Sequence, residues 1–276
     1  MRPGSCRQDT PKLSVALATY NEEENIADCL QSVKGLADEI VVVDGSSIDK
    51  TPEIAKRFGA IVINTTNKPM FHINKNMAID ACRGDWILQL DADERVTPQL
   101  AEEIKRVTHG HKDGKPVAYW LKRKNFFLGR FLKKGGQYPD PVIRLFRRDR
   151  ARLPEKSVHE QMTVEGEVGW FKNDLIHWAT PKFARYLLRE NRYALLEAEK
   201  MLQTKLPLNP WTMTKYFIAL PVRTFFSIFI RHKGFVDGWQ GFVFAFFSGF
   251  HFILAFSKYC RMKFKPQKVD INKEWN

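Results

Sequence analysis

Cysteine is scarce and scattered: Cys6, Cys29, Cys82 and Cys260 form no C-x-x-C pair, and no histidine stands at zinc-ligand spacing from them. The pattern suggests neither a metal knuckle nor a disulfide framework, so a reducing cytosol is the simplest compartment. The first twelve residues, MRPGSCRQDTPK, lack the apolar stretch of a secretory leader. Residues 1–12 are therefore expected to be a disordered N-terminus, with ordered structure beginning at Leu13. There is no internal repeat and no low-complexity segment. Acids are also in short supply: 31 Asp and Glu stand against 44 Lys and Arg, a formal net charge of +13. That surplus attracts polyanions, whether nucleic acid, an anionic membrane face or phosphorylated substrates, and does not choose among them. A hydrophobic content of 44% excludes a disordered chain, and the length allows one domain of about 200 residues with an appendage.

What is present, from Leu13 to about Val107, is alternation of short β-rich runs with helical patterns, the signature of a parallel α/β sheet. LSVALATY (13–20), EIVVVD (39–44), AIVIN (60–64) and DWILQL (85–90) read as buried strands. ENIADCLQSV, TPEIAKRFG and INKNMAIDACRG read as helices, the last two ending at Gly59 and Gly84, where a left-handed cap is expected. Ligands of such sheets bind beyond the carboxyl ends of the strands, where Asn21, Asp44 and Asp91 fall.

Residues from about 115 to 180 are less periodic. VAYWLKRKNFFLG and PVIRLFRR look like strands, and the stretch from Lys122 to Arg152 is densely basic, Arg144 included. A helix is expected from Lys182 to about Lys205, with Phe183, Tyr186, Leu187, Leu195 and Leu202 on one side. Two Phe-rich runs follow, YFIALPVRTFFSIFI (216–230) and GFVFAFFSGFHFILAF (241–256). The second spans about 24 Å as a helix, short of the roughly 30 Å apolar core of a bilayer, and Arg223 interrupts the first. An amphipathic hairpin lying in the membrane interface is therefore expected over two spanning helices. The expected organisation is a domain over 13–180 with a nucleotide-binding half (13–107) and an acceptor half (108–180), a helical region over 181–265, and a tail over 266–276.

The acidic cluster LDADE, with Asp91, Asp93 and Glu94 within four residues, ends an apolar run. Two carboxylates flanking one residue present oxygens to a single hard cation. Mg²⁺ or Mn²⁺ keeps several positions for water and phosphate, so one or two protein carboxylates suffice. On that reading a metal and a diphosphate relieve the mutual repulsion; the plainer reading is a solvated acidic turn leading into the helix after Pro98.

ALATYNEEENI, IVVVDGSSIDKT and INKNMAIDACRGDWILQLDADE, in this order and each at an expected strand end, resemble the family 2 glycosyltransferases of the GT-A fold. The resemblance is strong over about residues 13–107 and weaker to about 180. It implies that Thr19, Asn21, Glu22 and Asp44 contact the nucleoside, Asp44 accepting from a ring N–H, and that Lys75 and Asn76 lie near base and phosphates. Asp91 would lie towards the sugar or ribose, and Asp93 would bind the metal bridging the donor phosphates. The family pattern V-D-[DS]-G-S-T-D-G-T departs here to VDGSSIDKT, with the glycine displaced and Lys50 in place of the second one. An inverting reaction needs a general base, for which the resemblance offers Glu160 in KSVHEQ, with Asp140 in YPDPVIRL as the alternative. His177 in DLIHWATP is a candidate third metal ligand or a packed core histidine, and His159 shares that ambiguity.

The tail also looks like that of bacterial enzymes extending the lipopolysaccharide inner core, as in β-1,4-glucosyltransferases. That implies a nucleotide-diphosphate sugar donor, UDP-glucose first, and a lipid-linked phosphorylated glycan acceptor at an anionic membrane surface, the cytoplasmic face of the bacterial inner membrane. The basic stretch would supply phosphate contacts and the Phe-rich hairpin the anchor. Rival readings are a polyprenyl-phosphate or peptide glycosyltransferase and, from another class, a basic nucleic-acid-binding or membrane scaffold without catalysis. Nucleic acid is not expected as a partner, because the aromatics concentrate in the C-terminal runs rather than among the Lys and Arg.

Overall fold

The computed structural model describes residues 12–68, 70–110, 116–154, 161–180 and 182–264. They divide into two compact units: residues up to Arg123 with Pro141–His177, and Lys124–Asp140 with the chain from Trp178 onward.

The strands are β1 (Leu13–Thr19), β2 (Glu39–Asp44), β3 (Ile61–Asn64), β4 (Trp86–Leu90), β5 (Glu94–Val96), β6 (Ala118–Phe127), β7 (Arg130–Phe131), β8 (Asp140–Arg147), β9 (Ala151–Arg152), β10 (Thr163–Val164) and β11 (Val168–Thr180). The helices of the first unit are α1 (Ile26–Ser32), α2 (Thr51–Arg57), α3 (Phe71–Ala81) and α4 (Pro98–Gly110). Its sheet runs β3-β2-β1-β4-β8-β6-β11-β5. The four strands β3, β2, β1 and β4 are parallel, and β8 adds antiparallel to β4.

β1 is apolar almost throughout because both of its faces are covered. Val15 and Leu17 pack with Leu88, Leu90 and the α1 residues Ile26 and Leu30. On the other face Ala16 meets Val41, Ile87 and the α3 residues Ala78 and Ile79.

The helix ends show two different uses of glycine. Gly59 closes α2 at φ 79°, the left-handed cap that was expected. Gly84 is a correction: α3 ends at the extended Cys82, and Gly84 has no positive φ. Space is what requires a glycine there, since a Cβ would lie 2.6 Å from Ser14 Oγ and 2.7 Å from Ser14 N.

The second unit holds the ends of β6 and β11 with β7, α5 (Phe183–Gln203), α6 (Pro210–Arg231) and α7 (Gly238–Phe264). Asn209 caps α6, its Oδ1 accepting from Thr212 N at 2.8 Å, and Pro210 takes the first position. A wide π-type turn over Lys215–Ala219 precedes Pro221, whose missing N–H cannot complete the helical ladder.

Two expectations need correcting here. The buried side of α5 is Tyr186, Ala194, Leu195, Ala198 and Met201, while Phe183, Leu187 and Leu202 are exposed. The small side chains of Ala194 and Ala198 let α5 approach Ala255 and Phe256 of α7 closely, so alanines define the seam. The C-terminal helices also outrun their Phe-rich cores. α6 has 22 residues, and Gly234–Phe264 forms a helical stretch of 31, so both are long and apolar enough to cross a membrane by length and composition. At 1.5 Å per residue α6 alone reaches about 33 Å.

Candidate active site at the carboxyl edge of the parallel strands

Thr19 and Asp44 are register partners at the ends of β1 and β2. The loops that follow are laced together. Asp44 Oδ1 accepts from Thr19 Oγ1 at 3.0 Å and Ser47 Oγ at 2.6 Å, and Oδ2 from Ser47 N at 2.8 Å. An ionised carboxylate offers two lone pairs per oxygen, so Oδ2 retains capacity for one further donor. Asn21, at φ 53°, accepts from Ile48 N through Oδ1 at 2.9 Å and donates its own N–H to Ser47 Oγ at 2.8 Å. Glu22 donates its N–H to Thr51 Oγ1 at 2.8 Å, and its carbonyl accepts from Asn25 N and Ile26 N to start α1. The structure thus brings Thr19, Asn21, Glu22 and Asp44 into one loop cluster.

The displaced glycine has a definite outcome. Position 46, where the family pattern carries glycine, still adopts the left-handed conformation, with Ser46 at φ 68°. Its hydroxyl donates to Thr65 O at 2.6 Å, which offsets part of the steric cost. Gly45 fits where a Cβ would lie 3.2 Å from Asn67 Cα. Lys50 sits at φ −82°, ordinary for any side chain, so no glycine is needed there.

Beyond β4, cations of the protein itself lie against Asp91 and Glu94 and relieve part of the repulsion within the acidic cluster. Lys75 of α3 pairs with Asp91 Oδ1. Arg144 of β8, 5% exposed, donates to Asp91 Oδ2 at 2.6 Å and to Glu94 Oε1 at 2.7 Å, and its other terminal nitrogen donates to Gln89 Oε1. Arg123 lies 3.6 Å from Glu94 Oε1. Burial pushes the Asp91 carboxyl up, but Arg144 and Lys75 outweigh it and hold it well below the usual carboxylate range. Part of the basic stretch is therefore committed internally: Lys122 faces Asp174, Arg152 pairs with Asp80, and Arg147 lies over the Trp86 ring.

Asp93 is set apart from this network. β11 pairs antiparallel with β5, placing His177 opposite Glu94, and His177 Nε2 lies 3.3 Å from Asp93 Oδ2. Burial raises the Asp93 carboxyl, and the neighbouring imidazole outweighs it, so the group stays below its ordinary value and ionised at neutral pH. Among the described residues no three His, Cys, Asp or Glu side chains converge as a metal cage. One oxygen and one nitrogen at this spacing fit two adjacent positions of an octahedral ion, whose neighbouring ligands at ~2.1 Å stand about 3 Å apart.

Asn76 is placed elsewhere. It is 1% exposed, and its Nδ2 donates to Leu153 O at 3.0 Å while Oδ1 accepts from Leu153 N at 3.2 Å. Asp140 opens β8 in the second unit, where Asn125 Nδ2 donates to its Oδ2 at 3.1 Å. Glu160 and His159 lie outside the described residues. Arg144 and Glu94 are members of the site whose roles the sequence did not reveal. The available signal was a lone arginine inside the apolar run PVIRLF, because a charge in a buried strand requires a buried partner.

A mixed α/β sheet with a parallel half, an acidic cluster beyond β4 and the loops after β1 and β2 beside it has the architecture of a GT-A fold. A mannosyltransferase of Pyrobaculum calidifontis, solved with GDP-Man and Mn²⁺, shares the fold at TM-score 0.52 over 92% of this chain and 88% of that one, at 14% identity. The model described as Glycosyl transferase family 2 matches residues 14–153, and the chain belongs to that family. An uncharacterized glycosyltransferase of Rickettsia typhi is 27% identical over 94% of this chain and 90% of its own length. A lipopolysaccharide core biosynthesis glycosyltransferase of Rhizobium meliloti is 26% identical over 86% of this chain and 90% of its own.

Proposed function

We propose that this glycosyltransferase is inverting and metal-dependent. Its donor would be a nucleotide-diphosphate hexose, UDP-glucose first. The acceptor would be a lipid-linked, phosphorylated envelope glycan of the lipopolysaccharide inner-core type, at the cytoplasmic face of a bacterial inner membrane. The observation that carries the reading is the Asp93–His177 pair: an ionised carboxylate and an imidazole 3.3 Å apart, at the carboxyl edge of the sheet, outside the Arg144 network. Asp93 and His177 would hold a Mg²⁺ or Mn²⁺ ion, which when bound supplies positive charge to the departing nucleoside diphosphate.

Asp44, with one acceptor position left, would take a uracil-type N–H, and Thr19, Asn21 and Glu22 shape the loop around it. Lys75 would exchange its contact with Asp91 for a donor phosphate. Asp91, held ionised and oriented by Arg144, would face the sugar. Glu160 is assigned the acceptor's proton, with Asp140 the alternative; a carboxylate base works best when its pKa is raised towards neutrality. The Rhizobium meliloti relative supports a core-type acceptor. Transfer to a polyprenyl phosphate is a second reading, favoured by the 22- and 31-residue C-terminal helices.

Calorimetric titration of the protein and of Asp93→Ala with UDP, with and without Mn²⁺, tests the donor assignment. Metal-dependent binding lost in the variant is expected; equal binding without metal would overturn it. Glu160→Gln should keep UDP binding and lose transfer, whereas normal turnover in that variant would move the base to Asp140.

A further inference from the structure

The two C-terminal helices are long enough to cross a bilayer, yet the second unit holds them by both ends. At the turn between them Asp237, 1% exposed, accepts from Lys133 N at 3.0 Å and Lys134 N at 2.8 Å. Gly135 N donates to His232 O at 2.9 Å, and Gln240 Nε2 to Leu128 O at 3.2 Å. At the far end Tyr259 donates to Leu206 O and packs with Met201 of α5. Between these points Phe247 of α7 packs on Phe183 and Tyr186 of α5. A hairpin crossing a membrane would put its turn on the opposite side from its ends. Here the turn, the middle and the ends are all bonded to segments of one unit.

The sides turned away from those segments are apolar. α6 exposes Ile218, Val222, Phe226 and Ile230, spaced by four residues. α7 exposes Trp239, Phe242, Phe246 and Phe250, and together these eight side chains are 39% to 59% exposed apart from Trp239 at 60%. Phe225 and Phe229 pack on Phe242, so the stripes flank one seam. Between residues 210 and 264 there are seven Lys and Arg and one acid, Asp237, which is buried. A second copy of this surface would bring like charges together, whereas an anionic lipid headgroup layer complements them.

We infer that α6 and α7 lie in the plane of the membrane and sink these stripes into one leaflet of anionic lipid, without crossing it. Docking of this kind is independent of which donor and acceptor the site takes. The side chains that enter the leaflet are exposed in the protein itself, so no unfolding of the unit is needed. The basic residues meet the headgroups, and Trp239 suits the boundary between headgroups and chains.

The test uses the full chain with sealed vesicles of phosphatidylcholine, with or without phosphatidylglycerol. Co-sedimentation with the anionic vesicles is expected. The Phe226→Glu, Phe246→Glu double variant should partition about tenfold less or weaker still while keeping UDP binding unchanged. In a background with Cys6 and Cys260 replaced by serine, Lys233→Cys should react fully with an impermeant maleimide added outside the vesicles. Protection of position 233 would mean a spanning hairpin and overturn the inference. Undiminished vesicle binding by the double variant would overturn it too, as would a stable lipid-free dimer that the double variant disrupts. UDP titration of the same preparations separates these outcomes from failure of the donor site.

Discussion

His177 Nε2 stands 3.3 Å from Asp93 Oδ2, an encounter made by pairing β11 against β5 across more than eighty residues of chain. If the two share a cation, His177→Ala should weaken Mn²⁺-dependent UDP binding. The loss should be at least as large as the ~10–100-fold that removal of a ligand's outer partners costs. Titration of UDP binding against Mn²⁺ concentration reads it; an unchanged metal requirement would reduce His177 to a structural partner of Asp93.

Arg144 donates to both Asp91 and Glu94, and it is almost wholly buried. Arg144→Met leaves the buried Glu94 and the partly exposed Asp91 short of a partner and should cost about 3 kcal/mol in urea unfolding. Arg144→Lys should not restore the wild-type value, because an ammonium cannot reproduce the forked contact to Asp91, Glu94 and Gln89.

The two glycines should respond differently to alanine. Gly59→Ala meets open space and pays only for φ 79°, about 1–2 kcal/mol. Gly84→Ala forces a Cβ to within 2.7 Å of the Ser14 backbone nitrogen and should cost about 2 kcal/mol or more. A loss at Gly84 smaller than that at Gly59 in urea unfolding would argue against crowding as the reason for Gly84.

Glu39 accepts from Ser14 Oγ at 2.5 Å, Arg83 N at 2.8 Å and Arg83 Nε at 2.7 Å. Burial raises its carboxyl, and the bonds from Arg83 and Ser14 outweigh that, so its folded-state pKa lies below the ordinary value. A depressed carboxylate contributes stability that is fully present above its unfolded pKa of about 4.3 and is lost as pH falls through the lower folded value. The stability difference between wild type and Glu39→Gln should therefore be largest near neutrality and shrink below about pH 4. A difference independent of pH would show that the carboxylate's charge is not what matters.

Local pattern was enough for the α/β half. The strands β1, β2, β3 and β4 and their helices were legible because buried parallel strands read as continuous apolar runs bounded by turn residues. The acidic cluster and the loops after β1 and β2 were legible for the same reason: they sit at strand ends, and sequence position sets strand ends. The alternation could not show which charges meet. Arg144 looked like one more residue of a basic surface until the antiparallel addition of β8 beside β4 carried it to Asp91. Nor did the apolar content of the Phe-rich runs give helix length, because flanking polar residues continue each helix once α5 and the 128–135 loop hold it.

By itself the sequence determined the four parallel strands of the first unit, the positions of Asp44 and Asp91 at strand ends, and the apolar, basic character of the C-terminal helices, since each depends on neighbours a few residues apart. Tertiary structure alone decided that Arg144 and Lys75 neutralise Asp91, that Asp93 faces His177, and that Asp237 ties the helical turn back to residues 133 and 134. Those contacts join residues from 16 to 104 positions apart, and only packing brings them within hydrogen-bonding distance.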